Sequence, residues 1–78
     1  MTDPVFLGTA RRTSGRALTA LGRFEEAEER LSEAYELLEP ELGAQHRQTR
    51  TTADALGDLY EAWGLPEEVA IWRERGTI

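Results

Sequence analysis

A register of 42 residues constrains this chain more than any other feature of it. Shifting the sequence against itself by 42 positions lays Gly15 on Gly57, Gly22 on Gly64 and Glu25-Glu26 on Glu67-Glu68, with Thr9 on Thr51 and Ala20 on Ala62. The identities are few for a chain rich in Ala, Glu, Leu and Arg, so their placement carries the argument. In each copy one glycine precedes a second by seven residues, and an acidic pair follows. A glycine inside a helix costs about 1 kcal/mol against alanine. Its return at the same place implies that a partner element comes close there. Two units with the same punctuation predict a stacked repeat.

Apolar spacing gives the units their content. Thr2-Asp3-Pro4 reads as a helix opening, a capping side chain followed by a proline suited to the first helical position. Phe6, Leu7, Ala10, Ala17, Leu18 and Leu21 then recur at steps of three and four, one stripe along a helix that Gly22 ends. A second stripe runs through Phe24, Ala27, Leu31, Ala34, Tyr35 and Leu38, and Pro40 is expected to end or fray it. Glu41 to His46 reads as a connection with Gly43 as its turn. A third helix, from about Gln48 to Trp63, carries Ala53, Leu56, Leu59, Tyr60 and Trp63, and Gly64 closes it. Leu65-Pro66-Glu67-Glu68 opens a short fourth helix bearing Val69, Ile71 and Trp72, which frays at Gly76. No segment alternates with period two. The expected fold is all-α: two stacked antiparallel helical hairpins, four helices in one domain over 1–78. Repeat 1 covers about 4–40, the connection 41–47 and a shortened repeat 2 about 48–75.

Composition narrows the function classes. The 78 residues carry fifteen acidic and nine basic side chains, a formal charge of -6, with no cysteine. No disulfide, thiolate metal site or cysteine nucleophile is available. A phosphate-binding surface needs a basic stripe, whereas the third helix carries Asp54, Asp58 and Glu61 beyond Arg47 and Arg50. Nucleic acid is therefore not the expected partner. Neither is a membrane, since no stretch approaches the roughly 18 apolar residues of a span. The amino terminus lacks the pattern of a secretory signal, and a cytoplasmic location is the expectation.

Gly15, Leu18, Gly22, Phe24, Ala27, Leu31 and Ala34 follow the tetratricopeptide-repeat pattern in order and spacing, and Leu56, Gly57, Tyr60, Gly64 and Val69 follow it a second time. The chain thus resembles that family over roughly residues 8 to 75. The 42-residue period and the Leu42-Gly43…His46…Thr49 connection are similar to the longer, kinesin-light-chain-like variant. The stretch Leu59 to Glu68 with the following Trp/Arg helix resembles the carboxyl end of a bacterial array. Departures are plain: Arg11 and Ala53 stand where the family has an early tryptophan, and Arg73 and Gly76 replace later apolar positions. The asparagines that line the groove of kinesin-light-chain-like repeats are absent, so no specific ligand carries over.

The resemblance implies that the first helix of each hairpin lines a concave face. The groove residues are then Thr9, Arg12, Arg16 and Thr19 in the first copy and Thr51, Asp54, Asp58 and Glu61 in the second. Each set steps by three or four and so shares one helix face. Such a two-signed groove would hold a peptide or helix of complementary charge. The bland alternative is an internal ladder, Arg12 with Asp54 and Arg16 with Asp58, with each exposed pair contributing about 0–1 kcal/mol.

Other side chains point to structure before chemistry. Glu25, Glu26, Glu28 and Glu29 decorate a helix start, where the dipole favours them, and lack the convergent loop of a calcium site. His46, the single histidine, has neither a second metal ligand nor a nucleophile beside it, and helix capping suffices for it. No catalytic constellation, cofactor loop or metal site is expected. Trp63 is expected in the core. Trp72, with Ile71, either covers the end of the last hairpin or marks contact with another chain. The leading expectation is a non-catalytic interaction module for a protein or peptide partner. The alternative is an end fragment of a longer array that self-associates as a homodimer through its exposed apolar ends.

Overall fold

The structure, a computed structural model, describes residues 3–77. Four helices follow one another, α1 (Pro4–Ala20), α2 (Phe24–Leu42), α3 (Arg47–Trp63) and α4 (Pro66–Gly76), with no strand among the described residues. Each boundary has a local cause. The Asp3 carboxylate accepts a hydrogen bond from the Val5 amide at 2.9 Å, and Pro4 occupies the first turn; Thr2 of the expected opening lies outside the described residues.

The two hairpin turns repeat each other atom for atom. Gly22 and Gly64 both adopt left-handed φ, +77° and +79°. After α1, Arg23 N donates to Leu18 O at 2.9 Å; 42 residues later Leu65 N donates to Tyr60 O at 2.9 Å. These six-to-one bonds satisfy carbonyls that a helix end otherwise leaves open. A side chain at either glycine would meet no clash, only backbone strain.

Two expectations about helix ends need correction. Pro40 neither ends nor frays α2, which continues to Leu42. Its missing N–H leaves the Glu36 carbonyl, four residues earlier, without its helical donor, and Glu36 and Pro40 are both exposed, so water can serve that carbonyl. The connection is consequently shorter than 41–47: α2 closes on Gly43, and α3 starts at Arg47. His46 caps α3, its Nδ1 accepting from the Gln48 amide at 3.0 Å.

Packing explains the repeated in-helix glycine. A methyl group at Gly15 would stand 2.5 Å from Leu31 Cγ and 3.3 Å from Leu31 N, so α2 lies directly on the bare backbone of α1. Gly8, one heptad earlier, takes Leu38 in the same way. The buried face of α1 is therefore its glycine face. The apolar stripe expected there is not the core: Phe6, Ala10, Ala17 and Leu21 are exposed, Phe6 at 69% and Leu21 at 70%, while Leu7 and Leu18 are half-buried. The stripe is real in period, but α2 approaches α1 from the other side.

On α2 and α3 the expected faces are the core. Ala27, Leu31, Ala34, Leu38, Ala53, Leu56 and Leu59 are wholly buried, and Tyr60 is nearly so. Leu31, Leu56 and Leu59 meet in one cluster where α2 lies against α3. Trp63 stacks on Phe24 at 5.7 Å between centroids and on Tyr60 at 6.2 Å, tying both hairpins together. Tyr60 also donates to Glu28 Oε2 at 2.7 Å. Burial first, and then this bond beside a carboxylate, push the Tyr60 phenol well above its ordinary value. The short α4 packs on α3 with none of its residues fully buried.

Candidate functional site

The groove residues were expected on α1 and α3, and the two helices do lie side by side. Arg12 bridges them. From α1 its Nη1 donates to the Gln48 carbonyl at 3.1 Å and to Thr52 Oγ1 at 3.3 Å on α3. Partial burial of the guanidinium, and then the nearby charge of Arg16, lower its pKa from the ordinary value. Arg12 is thus a strut between repeats rather than a free hand for a ligand.

Arg16 has a different setting. It is exposed, and with Thr19, Ala20, Ala55 and Asp58 it lines a cleft of about 180 Å³ between α1 and α3. Thr19 donates its hydroxyl to the Gly15 carbonyl at 2.9 Å, which leaves its oxygen free to accept. The cleft therefore offers a cation on the α1 wall, a carboxylate on the α3 wall and two alanines between. Among the described residues no carboxylate lies within ion-pairing distance of Arg16.

The expected ladder of Arg12 with Asp54 and Arg16 with Asp58 does not form. The α3 carboxylates answer a cation on the next helix instead. Arg73 of α4 donates through Nη2 to Asp58 Oδ1 at 2.6 Å and through Nη1 to the Asp54 carbonyl at 3.3 Å, with Glu61 Oε2 at 3.8 Å. The hydrogen bond to Asp58 is the main reason the Arg73 guanidinium is held above its ordinary pKa. The Asp54 carboxylate lies against Gly76, where no side chain would fit. Arg73 belongs to the same hairpin as these carboxylates, 15 residues from Asp58, whereas Arg12 and Arg16 reach α3 only across the repeat boundary, and Arg73 captures the acidic row.

Register accounts for that capture. Leu31 and Arg73 are 42 positions apart, and both lie over the in-helix glycine of their hairpin, Leu31 on Gly15 and Arg73 on Gly57. Where repeat 1 buries a leucine, repeat 2 lays an arginine across the same dimple, ringed by carboxylates. Sequence reasoning noted the leucine-to-arginine departure but did not join it to Asp54, Asp58 and Glu61. Ala20, noted in the sequence only for its identity with Ala62, and Ala55 lie between the charged walls of the cleft and carried no sequence signal for the site.

The remaining groove residues are dispersed. Thr9 is half-buried and spends its hydroxyl on the Phe6 carbonyl at 2.9 Å; Thr51 is half-buried on α3. Trp72 is half-buried, edge-on to Tyr35 at 5.1 Å and beneath the Arg75 guanidinium at 4.4 Å, whereas Ile71 is 47% exposed. Glu25 stands free at the start of α2 while Glu26 takes Arg23 at 2.7 Å. Among the described residues no group of three or more His, Cys, Asp or Glu could hold a metal ion, and no helix is long and apolar enough to cross a membrane.

Antiparallel hairpins stacked in register, with a polar face shared by their first helices, define an α-solenoid built from repeats. A family model described as Tetratricopeptide repeat matches residues 6–75, and the chain belongs to that family. Domains of this family are in general non-catalytic modules for protein–protein interaction. No curated protein and no solved structure gives a significant match to the chain.

Proposed function

We propose that the α1/α3 face holds a segment of a partner protein whose charges alternate in sign. Arg16 carries this reading: it is an exposed cation, without a carboxylate in pairing distance among the described residues, at the rim of a cleft that also presents Asp58, Thr19 and two alanines. An acidic group of the segment would meet Arg16, small apolar side chains would sit over Ala20 and Ala55, and a donor would reach Asp58. Arg12 contributes by fixing the distance between the walls. Charge complementarity of this kind governs specificity and association rate more than raw affinity.

The test is a peptide array probed with the full chain and with Arg16→Glu. Peptides that bind the parent should lose binding to the variant and regain it when their acidic residue is exchanged for lysine. An unchanged set of bound peptides would overturn the reading. Asp58→Arg is the poorer probe, because it also breaks the Arg73 contact.

In the same reading the repeats are of the long, kinesin-light-chain-like type found in bacterial arrays, supported by the 42-residue period, and the protein works in the cytoplasm, where fractionation would find it. A second reading, self-association through α4, is favoured by the exposure of Ile71. It predicts a dimer that Ile71→Asp dissociates in sedimentation; a monomer at high micromolar concentration would contradict it. Trp72 plays little part there, being engaged with Tyr35 and Arg75.

A further inference from the structure

The side of the molecule formed by the second helices holds a site of its own, and we infer that it takes an acidic side chain from an extended segment of a partner protein. No Cα of α2 comes within 8 Å of one in α4 among the described residues, so a trench separates the two helices. Tyr35 and Trp72 bridge it edge to face, with 5.1 Å between ring centres. Beside that bridge the trench opens into a cavity of about 470 Å³, whose walls include Tyr35, Ala44, Gln45, Ile71, Glu74 and Arg75. None of these residues lines the α1/α3 cleft.

The 42-residue register shows how particular this place is. Ile71, Trp72 and Arg75 correspond to Glu29, Arg30 and Glu33. Three charged positions of repeat 1 thus become an aliphatic side chain, an aromatic one and a charge of opposite sign, all at or beside one cavity. Repeat packing does not account for the change. Glu29 stays exposed although the second hairpin is stacked on the first, so the exposure of Ile71 is not that of a missing neighbour. Glu33 is spent inside its own hairpin, on Arg11 at 3.3 Å. Arg75, by contrast, has no carboxylate within ion-pairing distance among the described residues.

The chemistry of the occupant follows from how Arg75 is held. Its guanidinium carbon lies 4.4 Å from the Trp72 ring centre and 5.9 Å from that of Tyr35. Stacking over an aromatic face steadies the planar fork and leaves its N–H edge for a carboxylate. Gln45 brings an amide donor from the connection. Arg75 is a single cation with Glu74 next to it, which suits a monoanion and opposes a phosphate dianion. Ile71 and Ala44 offer an apolar wall to an aliphatic neighbour of the acidic residue. The cavity is an open part of a trench between two helices, so a residue within a segment fits it and a chain terminus is not required.

The probe is acetyl-Ala-Leu-Glu-Leu-Ala-amide, titrated into the nitrogen-15-labelled full chain. The indole N–H signals of Trp72 and Trp63 report the trench and the aromatic stack separately. Saturable movement of the Trp72 signal is expected, with a Kd of about 1 mM for a single charged contact, while Trp63 stays still. The matching glutamine peptide should bind about tenfold or more weakly, and so should the glutamate peptide to Arg75→Gln. Arg16→Glu should bind as the parent does, which separates this site from the α1/α3 cleft. Arg75 is exposed, so circular dichroism of Arg75→Gln should match the parent, and the glutamine peptide makes the same comparison on the unaltered chain. No saturable shift up to about 10 mM peptide, equal binding of the glutamine peptide, or equal binding by Arg75→Gln would overturn the assignment. Tighter binding of the phosphoserine peptide would overturn it in favour of a phosphorylated segment, and tighter binding of acetyl-Ala-Leu-Leu with a free carboxylate in favour of a chain terminus. Homodimerisation of the free chain that Arg75→Gln abolishes would overturn it in favour of a second copy.

Discussion

Gly15 and Gly57 occupy the same repeat position, and the structure assigns them opposite responses to alanine. Both sit inside helices, so each substitution gains about 1 kcal/mol of helix propensity. The contact differs. At Gly15 the new Cβ would lie 2.5 Å from Leu31 Cγ, 2.6 Å from Leu31 Cδ2 and 3.3 Å from Leu31 N. Leu31 is wholly buried, and its backbone cannot retreat without lifting α2 off α1. Overpacking of this kind costs about 2–3 kcal/mol at the upper part of its usual range. Gly15→Ala should therefore lower unfolding free energy by about 1–2 kcal/mol, a fall of roughly 4–16 °C in Tm for a domain this small. At Gly57 the nearest atoms are 3.2 Å away and belong to the partly exposed Arg73 side chain, which can yield by a few tenths of an ångström. Gly57→Ala should be neutral or stabilising by up to about 1 kcal/mol. Urea titration by far-UV circular dichroism measures both. Equal effects at the two positions, or a Gly15→Ala chain as stable as the parent, would refute the account of how the hairpins close.

Further outcomes follow from the same contacts. The raised Tyr60 pKa means that the fold favours the protonated phenol, so this contribution is intact below the ordinary tyrosine pKa of about 10 and is lost as pH climbs above it. Tyr60→Phe should flatten the fall in stability measured between pH 9 and 12, while costing about 1 kcal/mol at neutral pH for the lost bond to Glu28. Thr49 is buried with its hydroxyl unpartnered, so Thr49→Val, which keeps the shape, should raise the urea midpoint or leave it unchanged. Arg73→Ala should cost only about 0–1 kcal/mol, since the pair with Asp58 is partly exposed, and should reduce the sensitivity of Tm to salt.

The periodic and punctuating residues made the fold legible. Gly22 and Gly64 announced two turns that share their closing hydrogen bonds, and Leu31, Leu38, Leu56 and Leu59 proved to be the core. Periodicity failed on α1 because it reports that a helix has an apolar face and says nothing about which neighbour covers it. The row of Phe6, Ala10, Ala17 and Leu21 has the right spacing, yet the face that meets α2 is marked by glycines, whose contribution is absence of bulk. Pro40 misled for a related reason: a proline in an exposed final turn removes one hydrogen bond that water can replace. At the site, matching opposite charges across repeats was a guess about distance. Arg73, reached through the register from Leu31, takes Asp58 and the Asp54 carbonyl, and that leaves Arg16 in the cleft without a carboxylate in pairing distance among the described residues.

Backbone chemical-shift mapping of the full chain with a bound peptide from the array tests the central claim most directly. The account predicts saturable shifts at Arg16, Thr19, Ala55 and Asp58, where α1 and α3 form their cleft, and their disappearance in Arg16→Glu. Shifts confined to α4 or to the outer surface of α2, or a pattern that survives Arg16→Glu, would contradict it.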